Sequence, residues 1–324
     1  MACSRAIIYL SVAAACVSLS SPSSSPAPLP VCKRAFEKLL SSKGGTVWPP
    51  PCPAPAHLVA QYERDLMPIS RDFCLAERHE GGTTVTWSEE FLEKYRRDVA
   101  TGRTGGSYTV AHIAQLRGAL RAHRNVLNGD ARVVVIGTDR PWIEVMLLDE
   151  GAANVLTFEY GAIESAHPRI AARSCRDVAS EFLEGAFVPA DAVVSYSSIE
   201  HSGLGRYGDE LDPDADADAM AQAWCMLRPG GLAFIGLPMT CVDAGMIEFN
   251  AHRIYGLRRL AKIARGFEFV EFDVQGCQPY LPSREPQPIL ILRKPLNGTR
   301  AKRSIRRDMF RAIHAGEDFD EPDL

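Results

Sequence analysis

The central half of the chain alternates short runs of β-branched residues with segments of helical periodicity. The clearest strand-like runs are Arg132–Gly137, Asn154–Glu159 and Asp191–Tyr196. Such alternation is typical of a parallel sheet whose strands are joined by helices that cover both faces. We therefore predict an α/β fold with a mostly parallel central sheet. Residues 267–274 and 289–293 are expected to add a C-terminal antiparallel hairpin.

Composition along the chain divides it into five regions. They are a signal peptide or short signal anchor (1–30), a proline-rich linker and lead-in (31–86), a helical lead-in (87–130), the α/β domain (131–296) and a charged C-terminal tail (297–324).

The first region has the order of a secretory signal. A basic start is followed by the apolar run Ala6–Leu19 and then by a stretch rich in Ser, Pro and Ala. The apolar run is shorter than the ~20 residues that span a bilayer, which favours cleavage, and an anchor remains the alternative. An organellar transit peptide is a second alternative, because no acidic residue precedes Glu37. The prediction is a secretory-pathway protein that meets a membrane only through such an anchor. Asn297-Gly298-Thr299, a glycosylation sequon, fits that route.

Charge and metal-ligand spacing exclude two classes of partner. A formal net charge of -4 over 324 residues gives no case for nucleic acid, which needs clustered Lys and Arg on the body of the fold. No Cys or His spacing matches a zinc site, and we predict no metal. The acidic side chains between residues 209 and 216 have oxygen ligands for a divalent cation but lack the glycine and final glutamate of an EF-hand, so a solvated acidic loop is favoured. They are Asp209, Asp212, Asp214 and Asp216.

The nine cysteines are scattered along the chain. Unpaired thiols are favoured, and a disulfide among Cys32, Cys52 and Cys74 is the alternative in an oxidising lumen. The later cysteines read as small core residues. They are Cys175, Cys225, Cys241 and Cys277.

Two segments carry a resemblance to a known class of enzymes. Tyr196–His201 and Leu227–Leu232 resemble the blocks that class I S-adenosylmethionine-dependent methyltransferases carry after the fourth strand and before the fifth. More narrowly, SSIEHSGLGRYGD (197–209) and NAHRIYG (250–256) resemble an uncharacterised methyltransferase-like family, a domain of unknown function. The resemblance implies a Rossmann-like methyltransferase fold, S-adenosylmethionine as cofactor, and a small-molecule or glycan acceptor.

The same resemblance leaves a second hypothesis open. Gly137 stands alone where such enzymes carry a G-x-G-x-G turn, so a catalytically degenerate binding or scaffold protein is the alternative. The chain has no G-x-S-x-G elbow of a hydrolase, and no G-x-G-x-x-G turn follows its first clear strand, where a dehydrogenase carries one.

Cofactor candidates lie where strands end, because ligands of open α/β sheets bind at the carboxyl ends of the strands. Glu159 ends the second strand and is expected to accept hydrogen bonds from ribose hydroxyls. Asp177 is expected either to face the adenine amine or to cap a helix. The other cofactor candidates are Gly137, Thr138, Asp139 and Ser197.

The catalytic candidates are Glu200, His201 and His252, since histidine is suited to removing a proton near neutral pH. His201 and His252 are expected to face one crevice. The alternative for Glu200 and His201 is that they only fix the following glycine-rich loop. The substrate candidates are Arg206, Tyr207, Asn250, Arg253 and Tyr255.

Overall fold

The computed structural model describes residues 29–42, 49–76, 84–103, 108–273, 287–301 and 304–314. The predicted signal segment up to residue 28 and the acidic end of the tail lie outside these ranges. Among the described helices, none has the length and apolar character needed to cross a bilayer.

The described chain contains nine helices and twelve strands. In chain order they are α1 (Pro30–Ser41), α2 (Ala56–Tyr62), β1 (Ile69–Asp72), β2 (Val85–Trp87), α3 (Glu89–Ala100), α4 (Val110–Ala122), β3 (Arg132–Ile136), α5 (Trp142–Asp149), β4 (Asn154–Glu159), β5 (Ile163–Ser165), β6 (Ile170–Ser174), α6 (Cys175–Leu183), β7 (Ala190–Tyr196), α7 (Ala215–Met226), β8 (Leu227–Gly236), β9 (Met246–Phe249), β10 (His252–Ile254), α8 (Leu257–Ile263), β11 (Glu268–Asp273), β12 (Ile289–Arg293) and α9 (Arg306–Ile313).

Seven strands form the central sheet in the order β11-β12-β8-β7-β3-β4-β6. The last five in that order are parallel, and β12 runs antiparallel to both β8 and β11. The α/β Rossmann-like methyltransferase fold, with its C-terminal antiparallel pair, is therefore confirmed. Because the chain leaves β3 toward β4 on one side and later returns to β7 on the other, a crevice opens at the carboxyl ends of these strands.

Strand β3 shows why both sheet faces are covered. Its successive side chains point to opposite faces, and all of them from Val133 to Ile136 are buried. Val134 and Ile136 join the core under α1, α6, α7, α8 and α9. Val133 and Val135 join the core under α3, α4 and α5. The continuous β-branched run in the sequence is thus a strand packed between two helical layers.

The segment predicted as linker and lead-in contains α1, α2, β1 and β2. Phe36 of α1 is fully buried and stacks on Phe182, and α1 packs against α6 and α7. Strand β1 pairs with β9 in a three-stranded sheet with β10 that the sequence analysis did not predict. These short strands lack the clear alternation that identified the central ones.

The prediction of unpaired thiols is wrong for most described cysteines. Cys32 of α1 is bonded to Cys225 of α7, and Cys52 is bonded to Cys74. Cys241 is also disulfide-bonded, whereas Cys175 is a buried free thiol. Pairing across 193 residues depends on which helices the fold brings together, and spacing along the chain carries no information about that.

Strand β8 includes Pro229-Gly230-Gly231, a sequence that is typical of turns. Its first residue, Leu227, already pairs with Ala190 of β7. The register shifts before Ala192 pairs with Leu232, and Gly230, at φ +79°, lets the extra residues bulge out.

Candidate functional site

The turn that follows β3 carries the first group of predicted cofactor residues. Gly137 adopts φ +73°, and a Cβ there would lie 1.7 Å from Ser198 Oγ, so only glycine fits. Thr138 is buried and its hydroxyl donates to Arg140 O at 2.6 Å. Asp139 is exposed at the rim. The close approach at Gly137 is therefore to the loop after β7.

The end of β4 carries the residue predicted to hold a ribose. Glu159 is half-buried, and its Oε1 accepts a hydrogen bond from Tyr160 N at 2.7 Å. The Tyr160 residue is 67% exposed. Sequence reasoning missed this aromatic residue, although its position directly after a strand-end carboxylate was a signal for it.

Asp177 is not the helix cap that was considered for it. Ser174 is the N-cap of α6, and its Oγ accepts from Asp177 N at 3.1 Å and donates to Asp177 Oδ2 at 2.8 Å. Ser174 takes the capping role because its oxygen satisfies an amide of the first helical turn that would otherwise lack a partner. Asp177 is exposed and supports that cap.

Two buried carboxyl groups have an oxygen without a hydrogen-bond partner among the described residues. Glu144, in the first turn of α5, accepts from Thr157 Oγ1 at 2.7 Å through Oε1, while its Oε2 has no partner. Glu200, in the turn after β7, accepts from Ser197 Oγ at 2.7 Å through Oε1, and its Oε2 also has none. Burial raises the pKa of Glu144 to about 8 and that of Glu200 to about 7.

Ser197 links several polar groups. It adopts φ +53°, its amide donates to Gly236 O at 3.0 Å, and its hydroxyl accepts from Gln287 Nε2 at 2.8 Å. Together with its bond to Glu200, these contacts hold the start of the loop after β7. This is a role that the sequence analysis considered for Glu200 and not for Ser197.

His201 is enclosed beside Glu200. Its Nδ1 lies 2.6 Å from Ala251 O, and its Nε2 lies 3.7 Å from Glu200 Oε1. Because a backbone carbonyl only accepts, Nδ1 carries the proton and Nε2 presents its lone pair. Burial lowers the pKa of His201 to about 3, so its imidazole is neutral at physiological pH.

His252 lies next to His201. The ring centroids are 6.1 Å apart and the rings are nearly perpendicular. His252 Nε2 is 3.2 Å from Glu248 Oε2, and both side chains are about a quarter exposed. Burial lowers the pKa of His252, and the Glu248 carboxylate acts against that shift. The two imidazoles thus lie close together, and of their two carboxylate neighbours only Glu248, beside His252, reaches solvent.

Three of the five substrate candidates are buried and form hydrogen bonds within the fold. Arg253 is buried and donates to the carbonyls of Ser202 (2.6 Å) and Glu200 (3.3 Å). Asn250 is buried and exchanges two hydrogen bonds with the Leu75 backbone, and Tyr255 is buried and donates to Asp216. These side chains satisfy buried backbone and carboxylate groups that would otherwise be costly.

The other two candidates stay near the surface. Arg206 and Tyr207 are half-buried, with the guanidinium 5.0 Å from the centroid of the Tyr207 ring. That ring makes an edge contact with His201, at 5.5 Å between centroids. The loop therefore brings Arg206 and Tyr207 next to the two histidines.

The acidic residues after this loop are not a solvated cluster. Asp209 Oδ2 accepts from the amides of Gly203 (2.7 Å) and Gly205 (3.2 Å) and so shapes the glycine-rich turn. Asp216 is fully buried and accepts from Arg259 Nε and Nη2, with Arg253 Nε at 3.6 Å. Within the described ranges, no group of three or more His, Cys, Asp or Glu side chains is arranged to hold a metal ion.

One family model matches part of the chain. It is described as a Caenorhabditis protein of unknown function, DUF268, and it matches residues 130–279. That range contains every predicted site residue. No curated protein matches the chain.

Several solved structures are similar to this chain at low identity. One is the 1,6-didemethyltoxoflavin-N1-methyltransferase of Burkholderia thailandensis, with bound S-adenosylhomocysteine, at 19% identity over 64% of this chain and 86% of that one, with a TM-score of 0.43. Another is an S-adenosylmethionine-dependent methyltransferase of Mesorhizobium loti, at 14% identity over 54% and 96%, with a TM-score of 0.37. Because these TM-scores are below 0.5, the fold assignment rests on strand order and register.

Proposed function

We propose that this chain is an S-adenosylmethionine-dependent methyltransferase. The observation that carries the proposal is the pair formed by Glu159 and the exposed Tyr160 at the carboxyl end of β4, beside the point where the strand order reverses. A strand-end carboxylate suits the two hydroxyls of a ribose, and an exposed aromatic ring suits stacking on a purine. The residues present therefore fit the nucleoside end of the cofactor.

The charge around this turn also fits the cofactor. Asp139 and Glu159 supply the negative charge here, and both lie close enough to Glu144 to help raise its pKa. Anionic groups stabilise a nearby positive charge, and the sulfonium of the cofactor carries one. When bound, the cofactor supplies an electrophilic methyl group. The residues of this chain bind the cofactor, orient the acceptor and remove a proton from it.

We assign proton removal from the acceptor to His252. Its Nε2 lies beside Glu248, a carboxylate that stabilises the imidazolium formed when His252 takes up a proton. His201, whose pKa is about 3, is a weak base and serves as a positioning residue between Ala251 and Tyr207. Glu200 holds the same loop through Ser197.

The proposed acceptor is a small molecule or a glycan. Arg206 and Tyr207 offer it a guanidinium and an aromatic face at the surface of the same loop. A guanidinium recognises carboxylate or phosphate groups well.

A second candidate function is binding without methyl transfer. Ser198 packs against Gly137 where a glycine-rich turn would approach the cofactor's amino-acid end. This contact favours a scaffold that binds a nucleoside but does not align a methyl donor. Calorimetry and turnover separate the two functions, because only the methyltransferase both binds the cofactor and transfers its methyl group.

The proposal is tested by titrating the purified chain with S-adenosylmethionine and S-adenosylhomocysteine. Glu159→Ala should weaken binding at least ~10-fold, because a hydrogen bond to a charged group contributes about 1.5–3 kcal/mol. Glu164→Ala, an exposed acid on β5, is the matched control and should leave binding unchanged. No binding by the wild type, or equal binding by the Glu159→Ala variant, would overturn the cofactor assignment.

The assignment of the base is tested with a tritiated methyl donor on an acceptor that the wild type labels. His252→Ala should lower turnover by ~10²-fold or more and spare cofactor affinity. His201→Ala should raise the acceptor KM more than it lowers kcat, because a positioning residue acts through the loop. Full turnover by the His252→Ala variant would contradict its role as the base.

We further propose that the chain enters the secretory pathway. The disulfides Cys32–Cys225 and Cys52–Cys74 support this, because such bonds persist in oxidising compartments. A reporter fused to residues 1–30 should enter the endoplasmic reticulum. Import of that reporter into mitochondria or chloroplasts would support the transit-peptide alternative instead.

A further inference from the structure

A short turn after β12 presents an asparagine to solvent. Gly298 N donates to Pro295 O at 2.9 Å, which closes the turn, and Lys294 and Pro295 anchor it because both are buried. Asn297 is exposed. Thr299 donates to Asn297 Oδ1 twice, from its amide at 3.0 Å and from its hydroxyl at 2.9 Å.

These contacts engage the oxygen of the Asn297 side-chain amide and leave its nitrogen, Nδ2, pointing outward. Among the described residues, none accepts a hydrogen bond from Nδ2, while Oδ1 is engaged by Thr299. The chain has five asparagines, and Asn297 alone is followed by a hydroxyl residue at the second position. An asparagine in that context, on a surface turn, is the acceptor for N-linked sugar in a secreted protein.

The neighbouring residue gives a second reason. Leu296 is 80% exposed, the largest exposure among the exposed large apolar residues of the described chain. A bulky hydrophilic group attached to the next residue would shield this side chain from water and from other proteins. Nothing else described at this turn covers Leu296.

We propose that Asn297 is an N-glycosylation site. The donor is an oligosaccharide linked to a lipid through pyrophosphate. A bond forms between Asn297 Nδ2 and C1 of the first sugar, the bond between that C1 and the pyrophosphate oxygen breaks, the lipid pyrophosphate leaves, and one amide proton passes to a base of the transferase. The proposal rests on the secretory route proposed above and does not depend on methyl transfer.

The position of the turn keeps the sugar away from the candidate site. β12 runs antiparallel to β8, and Arg293 at its end pairs with Leu232 of β8, which in turn pairs with Ala192 near the start of β7. The turn therefore lies at the amino-terminal edge of the parallel strands, whereas Glu159 and His201 lie at their carboxyl ends. The sugar should leave cofactor binding unchanged.

The experiment expresses the full chain in cultured eukaryotic cells and treats it with peptide N-glycosidase in ¹⁸O-labelled water, followed by peptide mass spectrometry. The Asn297 peptide should lose its sugar and gain one labelled oxygen as Asn297 becomes Asp. Asn297→Gln and Thr299→Ala should each abolish the mass shift on gels and retain cofactor binding. A sample incubated without the enzyme measures spontaneous deamidation.

The chain offers its own control in Asn128-Gly129-Asp130. Asn128 is exposed and precedes a glycine, as Asn297 does, but no hydroxyl follows. It should stay unmodified by sugar. Unmodified Asn297 in a chain with an intact Cys32–Cys225 disulfide would overturn the glycosylation proposal alone. Unmodified Asn297 in a chain whose cysteines remain reduced would overturn both glycosylation and the secretory route.

Discussion

Replacing Glu144 by glutamine should change how the stability of this protein depends on pH. Glu144 is fully buried, Thr157 satisfies one carboxyl oxygen, and the other has no partner among the described residues. Burial raises the pKa of Glu144 to about 8, against about 4.3 in an unfolded chain. The folded protein therefore keeps this proton over a pH range in which the unfolded chain has released it.

The magnitude follows from the two pKa values. Where the folded state binds more protons than the unfolded state, the free energy of unfolding falls by about 1.4 kcal/mol per pH unit. The contribution of Glu144 is thus fully present below about pH 4 and is lost as the pH rises to about 8. Between pH 5 and pH 9 the wild type should lose about 4 kcal/mol through this group. A glutamine does not titrate and abolishes that loss.

The assay is urea denaturation of both proteins at pH 5 and pH 9 with the disulfides intact. Glu144→Gln should lie within about 1 kcal/mol of the wild type at pH 5 and exceed it by about 4 kcal/mol at pH 9. The control is Asp149→Asn in the same helix, whose ion pair with Arg96 is partly exposed, and its effect should stay below about 1 kcal/mol at both pH values. Parallel loss of stability in the wild type and the Glu144→Gln variant would refute the reasoning.

Two further predictions concern other parts of the fold. Asp216→Asn should lower the free energy of unfolding by about 3–5 kcal/mol, because it removes the buried carboxylate that the guanidiniums of Arg253 and Arg259 share. Asp218→Asn, at a surface pair two residues away, should cost at most about 1 kcal/mol. Equal losses in chemical denaturation would count against a buried network. Replacing both Cys32 and Cys225 by alanine should lower the free energy of unfolding by up to roughly 5 kcal/mol, since the disulfide closes a loop across 193 residues. A denaturation midpoint equal to that of the wild type would contradict this prediction.

The strands that frame the crevice could be predicted closely from the sequence. The bounds of β4 are those expected, and those of β3 and β7 differ by one residue at one end. These strands are buried on both faces, and burial on both faces produces the continuous β-branched runs by which a sequence identifies a strand. The short strand β9 has no such run.

The roles of the polar side chains could be predicted only in part. From the sequence, His201 and His252 were expected to face one crevice, and in the structure their rings lie 6.1 Å apart. The sequence did not show that Arg253 and Tyr255 turn inward, because the loop carbonyls and the Asp216 carboxylate that they satisfy come from distant parts of the chain. Which polar groups need a partner is decided by packing, and packing is not visible in spacing.

The position of α1 has a consequence for how the protein is made. The buried Phe36 and the disulfide-bonded Cys32 of this helix pack against α6 and α7. Because α6 and α7 come much later in the chain, α1 is synthesised long before its partners. At about 5–20 residues per second, the 193 residues up to Cys225 take roughly 10–40 s to emerge from a ribosome. Until α7 has been synthesised, Phe36 and Cys32 lack part of the surface that buries them in the folded protein. During synthesis the cysteines that emerge before Cys225, such as Cys52 and Cys74, are therefore available to the Cys32 thiol before its native partner is.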